Sequence, residues 1–149
     1  QRRSELIKKA EKEVRDYKRL SELLNGCGCI SCGRSQSEVM GTDGWKPGGG
    51  FDAGHYHGKG ARPGLRLEPD NIWLQCKSCN AGSSKYTRKR ETVGKQYREN
   101  LIKKIGRDRV EELDADDKPR HWPDEELIAI RDKYREKNKI LREALRNRS

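Results

Sequence analysis

Two Cys-x-x-Cys pairs, Cys29 with Cys32 and Cys76 with Cys79, constrain this chain more than any other feature. Two thiolates spaced this way wrap round one tetrahedral metal ion, so two such pairs supply four ligands and tie distant stretches of chain together. Zinc is the usual occupant of a four-thiolate site, and four sulfurs leave it no open position for a substrate. A structural Zn²⁺ at Cys29, Cys32, Cys76 and Cys79 is therefore expected, with any chemistry left to other residues. Cys27 is a spare thiol that could replace Cys29 in a Cys-x-Cys register. The glycine in Cys29-Ile-Ser-Cys32-Gly33 favours Cys29 and Cys32, because it allows the tight turn of a metal knuckle.

A metal staple suits the composition. Only 31% of the 149 residues are hydrophobic and 39% are charged, so the core is expected to be small. Ordering the backbone costs about 1 to 2 kcal/mol per residue, and a small core offsets little of that. Five cysteines, four of them at metal-ligand spacing, fit a reducing compartment better than a disulfide framework with an odd thiol. The expected location is the cytosol. No apolar run is long enough to span a bilayer. No helical stretch joins a bulky aromatic face to a basic one, which argues against a membrane-surface protein. The chain begins at Gln1 rather than methionine, so an upstream segment is expected.

Thirty-four Lys and Arg against 24 Asp and Glu give a formal charge of +10 and a pI near 9.5. Such a chain seeks polyanions, and nucleic acid is the expected partner. The residues expected to touch phosphates are Lys59, Arg62 and Arg66 in one loop, with Lys77, Lys85, Arg88, Lys89 and Arg90 around and after the second cysteine pair.

Leu6, Ile7, Ala10, Val14, Tyr17, Leu20 and Leu24 recur at three- and four-residue intervals, which predicts an amphipathic helix over 4–24 stopped by Asn25 and Gly26. Residues 34–50, rich in Gly, Ser, Thr and Asp and including Trp45, Lys46 and Pro47, read as a loop. Residues 51–57 alternate as a strand does, and 71–75 read as its return strand. The long loop 58–70 between them carries Pro63 and Pro69. A short helix is expected from about Asn80, with others over 92–105 and 108–113. In the last, over 124–146, the spacing of Leu127, Ile130, Tyr134, Leu141 and Leu145 suits packing on the N-terminal helix or a dimer seam.

His55 stands in the first strand. A neutral imidazole near pH 7 can take a proton from water and prepare a hydroxide to attack phosphorus. Such a base needs a divalent ion nearby to stabilise the leaving oxygen. Asn80 offers a carbonyl oxygen and Asp52 a carboxylate, which suit Mg²⁺ or Mn²⁺. His57, on the same strand face as His55, is an alternative ligand or phosphate contact. Asn71, opening the return strand, is expected to bond the backbone of the 58–70 loop and set the geometry around His55. On an ideal strand Asp52 and His55 face opposite sides, so a bulge at Ala53-Gly54 is needed if both are to reach one ion.

The order Cys29-x-x-Cys32, His55, Asn71, Cys76-x-x-Cys79-Asn80 resembles the zinc-containing HNH, or His-Me finger, endonucleases. It is especially similar to the phage lambda NinG (Rap) recombination endonuclease family. The matching pieces are Cys29-Ile-Ser-Cys-Gly33, Phe51-Asp-Ala-Gly-His-Tyr56, Leu65-Arg66, Asp70-Asn-Ile72, Gln75-Cys76, Cys79-Asn80, Tyr97-Arg98, Ile105-Gly106 and Arg120-His-Trp122. They cover most of the chain from about residue 15 onward. The resemblance implies a phage-encoded, structure-specific DNA endonuclease that cuts branched recombination intermediates such as Holliday junctions and D-loops in the bacterial cytosol. It implies His55 as the catalytic base, with Asn71 and Asn80 beside it, and phage or host recombination proteins as partners. The endonuclease VII type of phage resolvase is similar in placing a metal-binding asparagine directly after the last zinc cysteine, which is the place of Asn80. That type carries an acidic ligand directly before the base, where this chain has Gly54. The usual final histidine of the HNH pattern is also replaced, by Asn80.

The expected architecture is α+β, with a zinc-stapled ββα (His-Me finger) core over 27–91, an N-terminal helix within 1–26 and a helical region over 92–149. A homodimer is expected, with the terminal helices as its interface. The rival readings are a zinc-dependent DNA-binding module without catalysis and a zinc-stapled adaptor, and the charge of +10 weighs against the adaptor.

Overall fold

Strands β1 (Phe51–His55) and β2 (Ile72–Cys76) form an antiparallel pair in which Phe51 faces Cys76 and His55 faces Ile72. The computed structural model describes residues 2–43, 49–82 and 90–148. Trp45, Lys46, Pro47, Lys85, Arg88 and Lys89, and the side chain of Arg90, lie outside the described residues. Every residue of β2 is buried, which explains its unbroken apolar character. β1 ends at His55 rather than at 57. One further bond, Tyr56 N to Asn71 O at 2.8 Å, follows, and then the Asn71 side chain takes the His57 amide in place of a second strand. Asn71 itself closes a 3-10 turn (Pro69–Asn71) instead of opening β2.

Helix α1 (Arg2–Leu24) lies across the sheet. Its Val14 packs with Ala53 and Ile72, and its Leu6 and Ala10 pack with Leu67, Trp122 and Leu127. Through these clusters the first helix and the C-terminal region pack on the sheet.

The stretch read as a loop contains helix α2 (Gln36–Asp43). Its start is a reciprocal cap: Glu38 N donates to Ser35 Oγ at 3.2 Å, and Ser35 N donates to Glu38 Oε1 at 3.0 Å. The pattern Ser35-x-x-Glu38 is a capping box that was present in the sequence. Val39, fully buried with Cys29, Phe51 and Leu74, anchors the helix.

Helix α3 (Lys77–Gly82) begins at Lys77, earlier than expected, because the knuckle bond from Cys79 N to Cys76 Sγ at 3.4 Å is already part of its first turn. Helices α4 (Arg90–Ile105) and α5 (Arg107–Ala115) then bury Tyr97, Leu101, Val110 and Leu113 against Ile30, Leu65 and Trp73.

The last helix, α6 (Asp124–Arg148), runs parallel to α1. Arg3 meets Asp124 at 3.3 Å, Asp16 meets Arg142 at 3.1 Å, and Arg148 reaches the carbonyls of Leu23 and Leu24. Tyr17 and Tyr134 meet in a tilted ring contact with centroids 5.1 Å apart. Between them Asn138, fully buried, donates to Glu13 O at 2.9 Å and Glu13 Oε1 at 3.0 Å, a polar contact that sets the register of the pair. The apolar seam of α6 is thus occupied by α1 of the same chain. Among the described residues no helix is long and apolar enough to cross a membrane.

Candidate metal centre and cleft

Cys76 ends β2, and the first knuckle is stitched to the same strand by Ile30 N donating to Leu74 O at 2.8 Å. The sulfurs of Cys29, Cys32, Cys76 and Cys79 lie within 4.8 Å of one another. This set could hold a structural metal such as zinc. In each pair the later amide donates to the earlier sulfur, Cys32 N to Cys29 Sγ and Cys79 N to Cys76 Sγ, both at 3.4 Å. Gly33, at φ 77°, makes the left-handed turn that closes the first knuckle. Arg34 donates to Cys32 Sγ at 3.4 Å and to Cys76 Sγ at 3.2 Å. Hydrogen bonding among the sulfurs divides their protons: it pushes the Cys76 thiol down, with help from Arg34, and pushes Cys29 and Cys79 up. Cys27 stays outside the set, its sulfur 3.5 Å from Lys104 Nζ.

Beside this centre lies a cavity of about 310 Å³ lined by Glu11, Arg15, Ala53, Gly54, His55, Gly58, Lys59 and Asn80. His55 Nε2 is 3.0 Å from Arg66 O and 3.8 Å from Glu11 Oε2. A carbonyl can only accept, so the bond at 3.0 Å puts the proton on Nε2 and leaves the Nδ1 lone pair free. Burial pushes the His55 pKa below its ordinary value. The bond to Arg66 O and the charge of Glu11 act the other way, while Arg15 and Lys59 add to the depression. The ring is therefore neutral at pH 7.

Asn80 joins this cavity to Asp52. Its Nδ2 donates to Asp52 Oδ2 at 3.1 Å, and Lys77 Nζ holds Asp52 Oδ1 at 2.7 Å. Burial opposes ionisation of Asp52, but the bonds from Lys77 and Asn80 outweigh it and hold the carboxyl below its ordinary range. Asn80 Oδ1 lies 3.1 Å from where a Cβ on Gly54 would stand, and that Cβ would overlap Gln75 Oε1. A side chain at position 54 would require Gln75 and Asn80 to shift from their present places.

The remaining expected site residues divide clearly. The sheet register is one-to-one through Ala53 and Gly54, so the bulge needed to bring Asp52 and His55 to one ion is absent. Asp52 is brought to Asn80 and not to His55. His57 is brought to neither, because it lies past the strand end and its Nε2 meets Asp114 Oδ1 at 2.9 Å. The same carboxylate takes the Tyr56 hydroxyl at 2.6 Å and Arg98 Nε at 3.1 Å. Asn71 is fully buried and clasps the loop, donating to His57 O at 3.0 Å and Leu65 O at 3.2 Å and accepting from His57 N at 2.9 Å.

The whole arrangement can be set beside known proteins. The family model described as Bacteriophage Lambda NinG protein matches residues 1–144. The chain belongs to the NinG family. Protein ninG of Salmonella phage P22 is 35% identical over 142 residues, covering 95% of this chain and 60% of that protein. Protein ninG of Escherichia phage lambda is 34% identical over 140 residues, covering 94% and 59%, and that of Escherichia phage 933W is 34% identical over 140 residues, covering 94% and 60%. The chain thus spans about 60% of the length of these curated relatives. No solved structure matches.

In this NinG-family chain the residue that sequence reasoning missed is Glu11. It is 4% exposed on α1 and takes Arg66 Nε at 2.7 Å and Lys59 Nζ at 3.4 Å. Burial works against its ionisation, yet the bond and charge of Arg66, with Lys59 and His55, hold its carboxyl below the ordinary value of 4.5. The stability it contributes is complete above that value and is lost as pH falls through the depressed one. Glu11→Ala leaves Arg66 without its counter-ion, and breaking such a buried pair costs roughly 3 to 5 kcal/mol. Urea unfolding at pH 7 is expected to show that loss, and the gap to wild type is expected to shrink below pH 4.5. Coincident curves at pH 7 would mean that the pair contributes nothing.

Proposed function

We propose that this NinG-family chain is a metal-dependent DNA endonuclease of the HNH, or His-Me finger, type, acting on branched recombination intermediates such as Holliday junctions and D-loops. The observation that carries the reading is the shared cavity, in which His55, with Nε2 tied to Arg66 O, stands with Asn80 on one wall system. In this reading Nδ1 of His55 takes a proton from water as the water attacks phosphorus. Asn71 acts at one remove, by fixing the loop whose Arg66 carbonyl orients the ring. Asn80, with Asp52 beside it, offers the hard oxygen donors that Mg²⁺ or Mn²⁺ prefers. Such an ion, when bound, neutralises the charge gathering on the phosphoryl and leaving oxygens.

The preference for branched DNA follows from the family resemblance and not from the cleft. A homodimer would place one site on each of two opposed strands of a junction. Because α1 occupies the seam of α6, such a dimer would use outward surfaces, where Ile140 is 66% exposed.

The test is incubation of the protein with a labelled four-way junction and with linear duplex, in Mg²⁺, Mn²⁺ or EDTA. Metal-dependent nicking confined to the junction is the expected result. Tight junction binding without nicking in any metal would favour the rival, a zinc-dependent DNA-binding module of a recombination apparatus.

A further inference from the structure

Four basic residues assigned to DNA from the sequence are bonded within the chain. Lys59 and Arg66 hold Glu11, Lys77 holds Asp52, and Arg62 Nη1 donates to Leu113 O at 3.3 Å and Asp116 O at 2.9 Å. A different cation faces the cleft. Arg15, half-buried on α1, donates Nε to Ala53 O at 3.3 Å, and among the described residues neither of its Nη groups has a hydrogen-bond partner. One helical turn on, Arg19 donates Nε to Phe51 O at 3.0 Å. Gly50 O and Tyr56 N bond toward the β2 side, so the alternating carbonyls of Phe51 and Ala53 lie on the open edge of β1. The two arginines cap that edge through their Nε groups.

Arg15 also stands where two cavities meet. It lines the one that holds His55 and Asn80, and a second of about 300 Å³ lined with Lys12, Asp16, Arg19, Phe51, Asp52 and Ala53. The carboxylates around it each have another cation: Glu11 has Arg66 at 2.7 Å, Asp16 has Lys12 at 2.8 Å and Arg142 at 3.1 Å, and Asp52 has Lys77 at 2.7 Å. Among the described residues Arg15 has no ion-pair partner of its own, and its charge acts on Asp52 and His55 from the cavity wall.

We propose that Arg15 is a phosphate clamp, gripping a DNA phosphate next to the one that His55 faces, and that the groove past Arg19 carries the adjoining stretch of that strand. A guanidinium fixed at Nε presents its two Nη groups as a fork that matches two phosphate oxygens, which a flexible ammonium does not reproduce. The inference rests on the endonuclease reading for the identity of the polyanion.

The experiment measures four-way-junction binding in EDTA over a range of salt, in a His55→Ala background. Arg15→Gln is expected to weaken binding about tenfold and to flatten the slope of log K against log salt by about 0.9. Lys139→Gln, at an exposed position of α6 beside Glu136, is expected to change neither. Arg15→Lys keeps the charge and loses the fork, so it is expected to keep the slope and recover only part of the affinity. Thermal melts monitor folding. If Arg15→Gln melts early, the comparison passes to Arg15→Lys, and wild-type affinity there overturns the clamp. Unchanged affinity and slope in a folded Arg15→Gln also overturn it. Junction binding that needs Arg15, in a protein that nicks nothing, sinks the endonuclease reading and leaves the clamp standing; no DNA binding by the parent protein sinks both.

Discussion

Cys76→Ser is expected to abolish cooperative folding of this chain and not merely to lower its melting temperature. Cys76 is fully buried among Cys29, Val39, Phe51, Leu74 and Cys79, at the junction of β2 and α3. Its sulfur takes the Cys79 amide and Arg34, so a serine there leaves these donors poorly met and removes one of four ligands. Structural zinc contributes about 10 to 16 kcal/mol of apparent binding energy in small modules. A domain of this size has roughly 5 to 15 kcal/mol of net stability. If zinc fills this set, its loss would exceed what the apolar clusters can absorb. Near-ultraviolet circular dichroism should flatten, metal analysis should fall from one ion per chain toward none, and a strong chelator should reproduce the effect on the wild type. A variant that melts within a few degrees of its parent would show that the thiols are not a staple.

His55→Ala is expected to cut junction nicking by about 100- to 10,000-fold, the usual contribution of a positioned general base, while junction binding stays intact. The wild-type rate should be flat at pH 7 to 8 and fall only in acid. In the proposed mechanism the neutral ring is the base, and burial depresses its pKa below 6.5, so activity should be lost as pH drops through that depressed value. A limb above 6.5 would contradict the buried setting of the ring. Added imidazole should restore part of the rate to His55→Ala, since the vacated cavity already borders Asn80. Nicking at wild-type rate by this variant would remove His55 from the chemistry.

The parts of this protein that were legible before folding are those in which a few adjacent residues settle their own geometry. The cysteine pairs, the long outer helices and the paired strands belong to that class, because ligand spacing and side-chain periodicity are local. Helix α2 was also legible through Ser35 and Glu38, but the surrounding Gly and Ser masked its capping box. The path from Gly54 to His55 was harder. The register of β1 on β2 runs evenly without a bulge, and beyond the strand end the Asn71 side chain takes the His57 amide.

Glu11 and Arg15 could not be read as cleft residues at all. Along α1 they look like a solvated polar stripe, and a helix pattern does not say which side another element will cover. Their roles arise when α1 crosses the hairpin, bringing Arg66 from 55 positions away to Glu11 and Ala53 from 38 positions away to Arg15. The same holds for the parallel seating of α6, fixed by Asn138 on Glu13. Short-range order is encoded in neighbouring side chains. Which charge ends up buried beside which base depends on how distant surfaces close on one another, because long-range packing excludes water and so changes what each ionised group must find as a partner.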